Sequence, residues 1–96
     1  MCKGVKHVEG ENRGNVKLYA LSTCLWCMRT KKLLDKLGVD YHYIDVDTQS
    51  DEDKKNSMDK IKQCNRLGSF PTIVIDDICI VGYREKDIKE TLGYDS

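Results

Sequence analysis

The segment TCLWCMRTKKLLDKLG, which begins at Thr23, places Cys24 and Cys27 at the start of a leucine-rich helical pattern. The preceding segment VKLYAL (16–21) alternates and is rich in strand-forming residues. Leucines then recur at helical spacing, and Gly38 provides a natural helix end. The sequence therefore predicts a strand that leads through a Cys-x-x-Cys pair directly into a helix.

The rest of the chain predicts an α/β fold with a four-stranded mixed sheet. A second strand is expected over 41–47 (YHYIDVD), and the polar stretch after it has a thin apolar line typical of a surface helix that ends at Gly68. Strands over 72–76 and 78–82 are expected to form a hairpin around an Asp-Asp step, and YREKDIKETLG is expected to form a short closing helix. The order is therefore βαβ-α-ββ-α, in which the βαβ unit makes its two strands parallel.

Length and composition indicate one domain. The 96 residues suit a single modest core, and we expect a flexible tail over 1–14 and one domain over 15–96. Sixteen basic residues balance sixteen acidic ones without a basic run, so we expect no nucleic-acid partner. No apolar stretch approaches the roughly 18 residues of a membrane helix, and the N-terminus lacks the apolar segment of a signal peptide. We expect a cytoplasmic monomer without membrane contact.

Three uses of the Cys-x-x-Cys pair compete: half of a metal site, a structural disulfide, or a redox-active dithiol. A zinc site normally needs four ligands, most clearly as two pairs. The other candidate ligands lie singly along the chain: Cys2, His7, His42, Cys64 and Cys79. A disulfide within so short a loop removes little entropy from the unfolded chain, so it is a poor structural cross-link. We therefore expect no metal site and favour the redox-active dithiol.

A redox role gives the two cysteines different tasks. Cys24 is predicted at the mouth of the helix, where unpaired backbone N–H groups and the helix dipole favour negative charge on sulfur. It is therefore predicted to be the catalytic nucleophile. Cys27 lies one turn further along and is predicted to resolve the mixed disulfide that Cys24 forms with a substrate. Cys64 and Cys79 are expected to be small core residues, and Cys2 a thiol of the tail.

Three blocks in this order, LYALSTCLWC, SFPT and VGYREKDI, resemble the glutaredoxin family of the thioredoxin fold over residues 16–92. The resemblance implies a thioredoxin-like fold and protein-disulfide reductase activity without a permanently bound cofactor. It also implies a cis peptide bond before Pro71, facing the dithiol. Phe70, Pro71 and Gly82 are then expected to shape a substrate groove.

Departures from the family pattern bear on the electron donor. Leu25-Trp26 replaces the usual Pro-Tyr, and Leu21 stands where a basic residue helps to hold glutathione. The GYREKD block (82–87) looks more like the glutaredoxin-like hydrogen donors of ribonucleotide reductase, which a thioredoxin-reductase-type enzyme reduces. We therefore expect weak use of glutathione, and a thioredoxin-reductase-type or ferredoxin-dependent reductase as the donor.

Four further residues complete the predicted substrate site: Thr23, Trp26, Tyr83 and Arg84. Three of them have an alternative role. Thr23 either caps the helix or hydrogen-bonds the thiolate. Trp26 either offers a flat contact for a protein partner or packs against the tail or Tyr83. Arg84 either holds a carboxylate or is a solvated helix start. Tyr19, outside this set, faces either the dithiol or the core.

The predicted function is that of a dithiol oxidoreductase that reduces protein disulfides and carries electrons to enzymes such as ribonucleotide reductase. The competing hypothesis is an iron–sulfur cluster or metal carrier that uses the active-site cysteines, because some relatives of glutaredoxins hold a cluster between two subunits.

Overall fold

The computed structural model describes residues 5–64 and 68–94, and within them five strands form one mixed sheet in the order β1-β3-β2-β4-β5. The strands are β1 (Val5–Val8), β2 (Val16–Ala20), β3 (Tyr41–Asp45), β4 (Thr72–Ile75) and β5 (Ile78–Val81). The helices are α1 (Leu25–Leu37), α2 (Asp51–Cys64) and α3 (Glu85–Thr91), with a 3-10 turn at Val46–Thr48. The arrangement is a thioredoxin-like fold, as predicted, but the described sheet has five strands where four were expected.

The predicted βαβ unit and hairpin are both present. β2 precedes α1 in sequence and β3 follows it, and the two strands pair in parallel. β4 runs antiparallel to β2. β4 and β5 form the antiparallel hairpin, whose turn places Asp76 at a φ of 54°. Asp tolerates this left-handed conformation better than most residues, which suits it to a tight turn.

The prediction that residues 1–14 form a flexible tail is wrong for Val5–Val8. These residues form β1, an edge strand that pairs antiparallel with β3 in the register Val5↔Ile44 and Val8↔Tyr41. Val5 packs on one face of the sheet and Val8 on the other. The strand was missed because only its two ends are apolar, so a four-residue segment shows no alternation. The predicted tail thiol, Cys2, lies outside the described residues.

The sheet has a buried cluster on each face, because successive strand residues point to opposite sides. Leu18 and Ile73 belong to the cluster under α1 and α3, where Leu34 and Ile88 are fully buried. Tyr19 belongs to the opposite cluster, with Ile44, Val46 and Ile61 of α2. Tyr19 therefore faces the core beneath α2, and burial raises the pKa of its hydroxyl.

The helices begin and end largely where the sequence predicts. Gly38 ends α1 at a φ of 69°, and its N–H donates to the carbonyls of Asp35 and Leu34. α2 begins with three acidic residues, as the helix dipole favours. The sequence predicts that this helix ends at Gly68, but residues 65–67 lie outside the described residues. Over the ranges that the structure describes, no helix combines the length and apolar character needed to cross a bilayer.

Cys64 and Cys79 are not the isolated core residues that the sequence suggests. Cys79 lies exposed on β5, Cys64 is half-buried at the end of α2, and a disulfide joins them across 15 positions of sequence. The bond closes a loop that contains the segment leading into β4. A cross-link of this span removes conformational freedom mainly from the unfolded chain.

We therefore expect Cys79→Ser to lower the free energy of unfolding by up to about 3 kcal/mol, the entropy attributed to a loop of this size. Denaturant unfolding of the oxidised proteins measures the difference. Under strong reducing conditions the parent and the variant should unfold alike, since neither then has the cross-link. A deficit of the same size in reducing buffer would show instead that the Cys79 side chain stabilises the fold without the bond.

Candidate functional site

Cys24 is the N-cap of α1, the residue at which the chain leaves β2 and turns into the helix. Its sulfur accepts a hydrogen bond from the Cys27 backbone N–H at 3.2 Å, and its own N–H donates to the Leu21 carbonyl at 3.2 Å. No acidic residue lies in the first turn, so no carboxylate opposes negative charge on the sulfur. The alternative that Thr23 caps the helix is wrong, because Thr23 is exposed and Cys24 itself is the cap.

Cys27 differs sharply from Cys24 in its surroundings. Its side chain is buried in the main core cluster, whereas Cys24 is partly exposed. Burial, followed by a hydrogen bond to the Cys24 side chain, raises the pKa of Cys27 to about 12. A backbone hydrogen bond from Leu21 and the positive charge of Lys31 lower the pKa, but by less. The inner thiol is therefore held in its neutral form while Cys24 is free.

The segment before β4 has the backbone geometry that the resemblance implies. The Phe70–Pro71 peptide bond is cis, as predicted, and Pro71 is buried. The Pro71 carbonyl accepts a hydrogen bond of 2.8 Å from the Gly82 N–H. Gly82 has a φ of 86°, a backbone conformation that is strained for residues with a side chain. Glycine is therefore needed where β5 turns toward α3.

A groove of about 280 Å³ lies between the start of α1 and these two loops. Its lining consists of five residues, all of which the sequence predicted for substrate binding: Trp26, Phe70, Pro71, Gly82 and Tyr83. The Trp26 and Tyr83 rings are stacked with centroids 5.8 Å apart, and Arg29 lies 5.0 Å from the Trp26 ring. Trp26 nevertheless stays 52% exposed, so packing on Tyr83 leaves a face open to a partner.

Arg84 is not brought into this groove. Its Nε donates to the Val81 carbonyl at 3.1 Å, and its guanidinium lies 3.7 Å from Asp87, within an adjacent pocket beside β5 and α3. Both partners are local, as expected for a helix start in solvent. The geometry therefore favours the solvated alternative for Arg84 over a carboxylate clamp in the groove.

Two polar contacts that sequence analysis missed fix the surroundings of the dithiol. Ser22 donates to both carboxylate oxygens of Asp47, at 2.8 Å from its N–H and 2.6 Å from its hydroxyl. Both hydrogen bonds lower the pKa of Asp47, and the one from the Ser22 hydroxyl lowers it most. Lys31, one turn after Cys27, contacts Asp45 at 2.9 Å and stays partly buried. Asp45 is the last residue of β3, and Asp47 lies in the 3-10 turn that follows it.

The dithiol does not form part of a larger ligand set in the residues that the structure describes. No third histidine, cysteine or carboxylate there lies close enough to Cys24 and Cys27 to complete a group of three possible metal ligands. A cluster or metal at this site would therefore depend on ligands from outside the described part of the chain. The geometry instead suits two sulfurs that react with each other.

Comparison with known proteins gives consistent matches. The family model described as Glutaredoxin matches residues 16–80, from the start of β2 into β5. The solved glutaredoxin of Methanosarcina mazei Go1 is 44% identical, with a TM-score of 0.90 over 96% of this chain and 90% of that chain. Methanosarcina acetivorans methanoredoxin is 46% identical, with a TM-score of 0.86 over 88% of this chain and 90% of that chain.

A curated relative is similar over almost its whole length. The glutaredoxin-like 8.6 kDa protein in the rubredoxin operon of Clostridium pasteurianum is 29% identical over 77 residues. Those residues are 80% of this chain and 96% of that protein. The matches therefore extend over most of the chain rather than over the Cys-x-x-Cys segment alone.

The contrast between the two thiols predicts selective alkylation. At mildly acidic pH, iodoacetamide should label Cys24 well before Cys27, because Cys27 is buried and protonated. Labelling of Cys27 should rise as the pH approaches its pKa of about 12, since the thiolate is the reactive form. Peptide mass spectrometry after short exposures measures both rates, and earlier labelling of Cys27 at acidic pH would contradict the assignment.

The matched control is Cys24→Ala, which removes the hydrogen bond and the charge that help to raise the pKa of Cys27. In this variant the pH midpoint of Cys27 labelling should move down. A higher plateau rate at an unchanged midpoint would indicate easier access to the thiol rather than easier ionisation.

Proposed function

This chain belongs to the glutaredoxin family, and we propose that it reduces protein disulfides through the Cys24–Cys27 dithiol. Thiol–disulfide oxidoreductase activity in general follows from the family. The observation that most supports the specific dithiol mechanism is the position of Cys24 as the cap of α1, with its sulfur 3.2 Å from the backbone nitrogen of a buried Cys27.

In the first step the Cys24 thiolate attacks one sulfur of a substrate disulfide. A bond forms between Cys24 and that sulfur, the substrate disulfide breaks, and its other sulfur leaves as a thiolate. The N-terminal end of α1 favours the attacking anion, because the N–H of Cys27 points at the Cys24 sulfur and no carboxylate lies in that turn. The product is a mixed disulfide at Cys24.

In the second step Cys27 releases the substrate. Two causes that raise the pKa of Cys27, its hydrogen bond to the Cys24 side chain and repulsion by the charge of Cys24, end once Cys24 is covalently bound. The lowering effect of Lys31 remains, so Cys27 ionises more readily at this stage. Its thiolate attacks the Cys24 sulfur, closing the Cys24–Cys27 disulfide, and the second substrate sulfur leaves. The dithiol has lost two electrons and the substrate has gained them.

The surface around Cys24 suits a protein substrate. Leu25, Trp26 and Met28 are 60%, 52% and 44% exposed in the first turn of α1, and Trp26 lines the groove. Exposed apolar residues grouped around a reactive thiol are typical of a protein-binding surface, and tryptophan is enriched among residues that dominate binding energy. Disulfides of enzymes such as ribonucleotide reductase are the substrate class that we propose, on the resemblance of the GYREKD block.

The same groove is poorly equipped for glutathione. Glutathione has two carboxylates, whereas none of the five described residues that line the groove is charged. Arg84 is occupied by Val81 and Asp87, and Leu21, at the position of the family's basic residue, is half-buried against the cluster under α2. We therefore propose that a thioredoxin-reductase-type or ferredoxin-dependent reductase restores the dithiol.

The dithiol mechanism predicts different products for three proteins mixed once with a protein disulfide such as insulin. The reduced parent should release both substrate thiols and finish with a Cys24–Cys27 disulfide. Cys27→Ser should stop as a covalent complex at Cys24, because no second thiol is in reach. Cys24→Ser should give neither product. Intact-mass spectrometry distinguishes these states, and full release of substrate by Cys27→Ser without added thiol would refute the two-cysteine mechanism.

The groove also predicts the choice of reductant. Loss of one charge-assisted contact typically costs about 1.5–3 kcal/mol, so glutathione should reduce the oxidised dithiol at least about tenfold more slowly than a thioredoxin-reductase-type or ferredoxin-dependent reductase. Reductant consumption measures the rates. Leu21→Lys should increase the rate with glutathione, whereas Leu21→Met should not. Equal rates for glutathione and the best enzyme would contradict this account while leaving the dithiol mechanism intact.

A further inference from the structure

His7, Asp40 and His42 form a compact cluster on the sheet, although the two histidines are widely separated in sequence. Each residue offers one ligand atom, and these three atoms all lie within 4.8 Å of one another. The His7 and His42 rings are stacked with centroids 4.3 Å apart and planes 9° from parallel. The His7 Nε2 and the Asp40 Oδ1 are 2.7 Å apart. His7 and His42, which lie singly along the sequence, therefore come together in the fold.

The strand register creates this cluster. β1 and β3 pair so that His7 lies directly opposite His42, and opposite residues of an antiparallel pair project from the same face. Asp40 immediately precedes β3, where its N–H donates to the Glu11 carbonyl at 2.9 Å. The Gly10 N–H also lies 3.4 Å from Asp40 Oδ2, so the backbone after β1 holds the carboxylate beside His7.

We propose that His7, Asp40 and His42 bind a divalent first-row transition metal ion, with Zn²⁺ as the ion that suits them best. Two imidazole nitrogens and one carboxylate oxygen are ligands that zinc takes at about 2.0–2.2 Å, with water in the remaining position. Ligand atoms around such an ion lie roughly 3.4 Å apart, so a spread of 4.8 Å closes by rotation of the exposed His7 ring. The metal takes the place of the proton between His7 and Asp40.

The surroundings of the cluster leave space for a hydrated ion. The three residues line an open pocket of about 490 Å³ together with Asn12, Gly14, Asn15 and Val16. The neighbouring cation is Lys17, which pairs with His42 in the parallel register of β2 and β3. Its ammonium group lies 5.6 Å from the centroid of the Tyr19 ring, two residues further along the strand. Lys17 thus has a partner of its own on the side toward Tyr19.

The position of the cluster predicts what binding does. His42 stands near the start of β3, whereas Cys24 follows the far end of β2, so the cluster and the dithiol lie toward opposite ends of the parallel strands. The ion would join the edge strand β1 to the central part of the sheet. Ligands that bind only the folded state stabilise it by mass action, so zinc should raise the unfolding temperature without changing the disulfide chemistry.

The test is titration of the protein with Zn²⁺ by calorimetry and by thermal unfolding. The protein has Cys2, Cys24 and Cys27 replaced by serine, so that these thiols do not compete for the metal. We expect one ion per chain, an unfolding temperature that rises with zinc concentration, and shifts in the ring proton resonances of both histidines. A second experiment uses the protein without these three substitutions, with its dithiol oxidised before zinc is added. Zinc bound at the cluster should then leave the rate of disulfide exchange unaltered.

Single substitutions locate the site. His7→Gln and His42→Gln should each weaken binding by at least about 10–100-fold, as for loss of groups that support a metal site, and Asp40→Asn should weaken it as well. Glu9→Gln is the matched control, because it removes an exposed neighbouring carboxylate outside the cluster. Unfolding without metal shows whether each variant keeps β1 in place.

The outcomes decide the proposal. One-to-one binding that both histidine variants lose and Glu9→Gln keeps supports it. Binding that persists unchanged in His7→Gln and His42→Gln overturns it, as does the absence of any saturable binding in the triple-serine protein. If a histidine variant unfolds at a lower temperature without metal, the test is made on the ring resonances of His7 and His42 in the triple-serine protein. Failure of both rings to shift with zinc also overturns the proposal.

Discussion

The start of α1 fixes the reactive sulfur, and most of the surrounding structure serves to hold that helix end in place. Cys24 is the cap of the helix and its partly exposed thiol, so its position is set by the same N–H group of Cys27 that favours negative charge on it. A cap is only as rigid as the two elements that it joins. β2 is buried through Ala20, and α1 is anchored by its buried residues Leu33 and Leu34. The dithiol therefore sits on a junction that buried residues hold on both sides.

Cys24 and Cys27 are both thiols, and burial of Cys27 is the main source of the difference in their reactivity. Cys27 lies in the core that holds α1 against the sheet, and desolvation is the main reason why its pKa is high. Lys31 offsets part of that effect and is held near by Asp45. An inner thiol that ionised early would compete with Cys24 for the substrate. The packing that stabilises the fold thus also sets the order in which the sulfurs react.

Local features of the sequence were enough to predict the candidate dithiol and the hairpin, because each depends on neighbours within one element or one tight turn. The groove joins three separate elements, and its residues were predicted from the resemblance to the glutaredoxin family. Features that depend on register were not predicted. Ser22 and Asp47 meet because β2 and β3 end side by side, and Cys64 meets Cys79 because α2 finishes over the edge strand. β1 was missed for the same reason, since its few apolar residues gain meaning only opposite β3.

The parallel pairing of β2 and β3 gives the sheet two chemically distinct ends. At the carboxyl end of β2 the chain turns into a helix, and the free N–H groups there favour an anionic sulfur. Toward the amino end, where β1 runs antiparallel to β3, side chains from separate strands stand opposite each other and bring His7 to His42. The histidine cluster and the dithiol share no residue and lie toward opposite ends of the parallel strands. The addition of β1 to one edge of the sheet can therefore create a binding site without altering the dithiol that the central strands position.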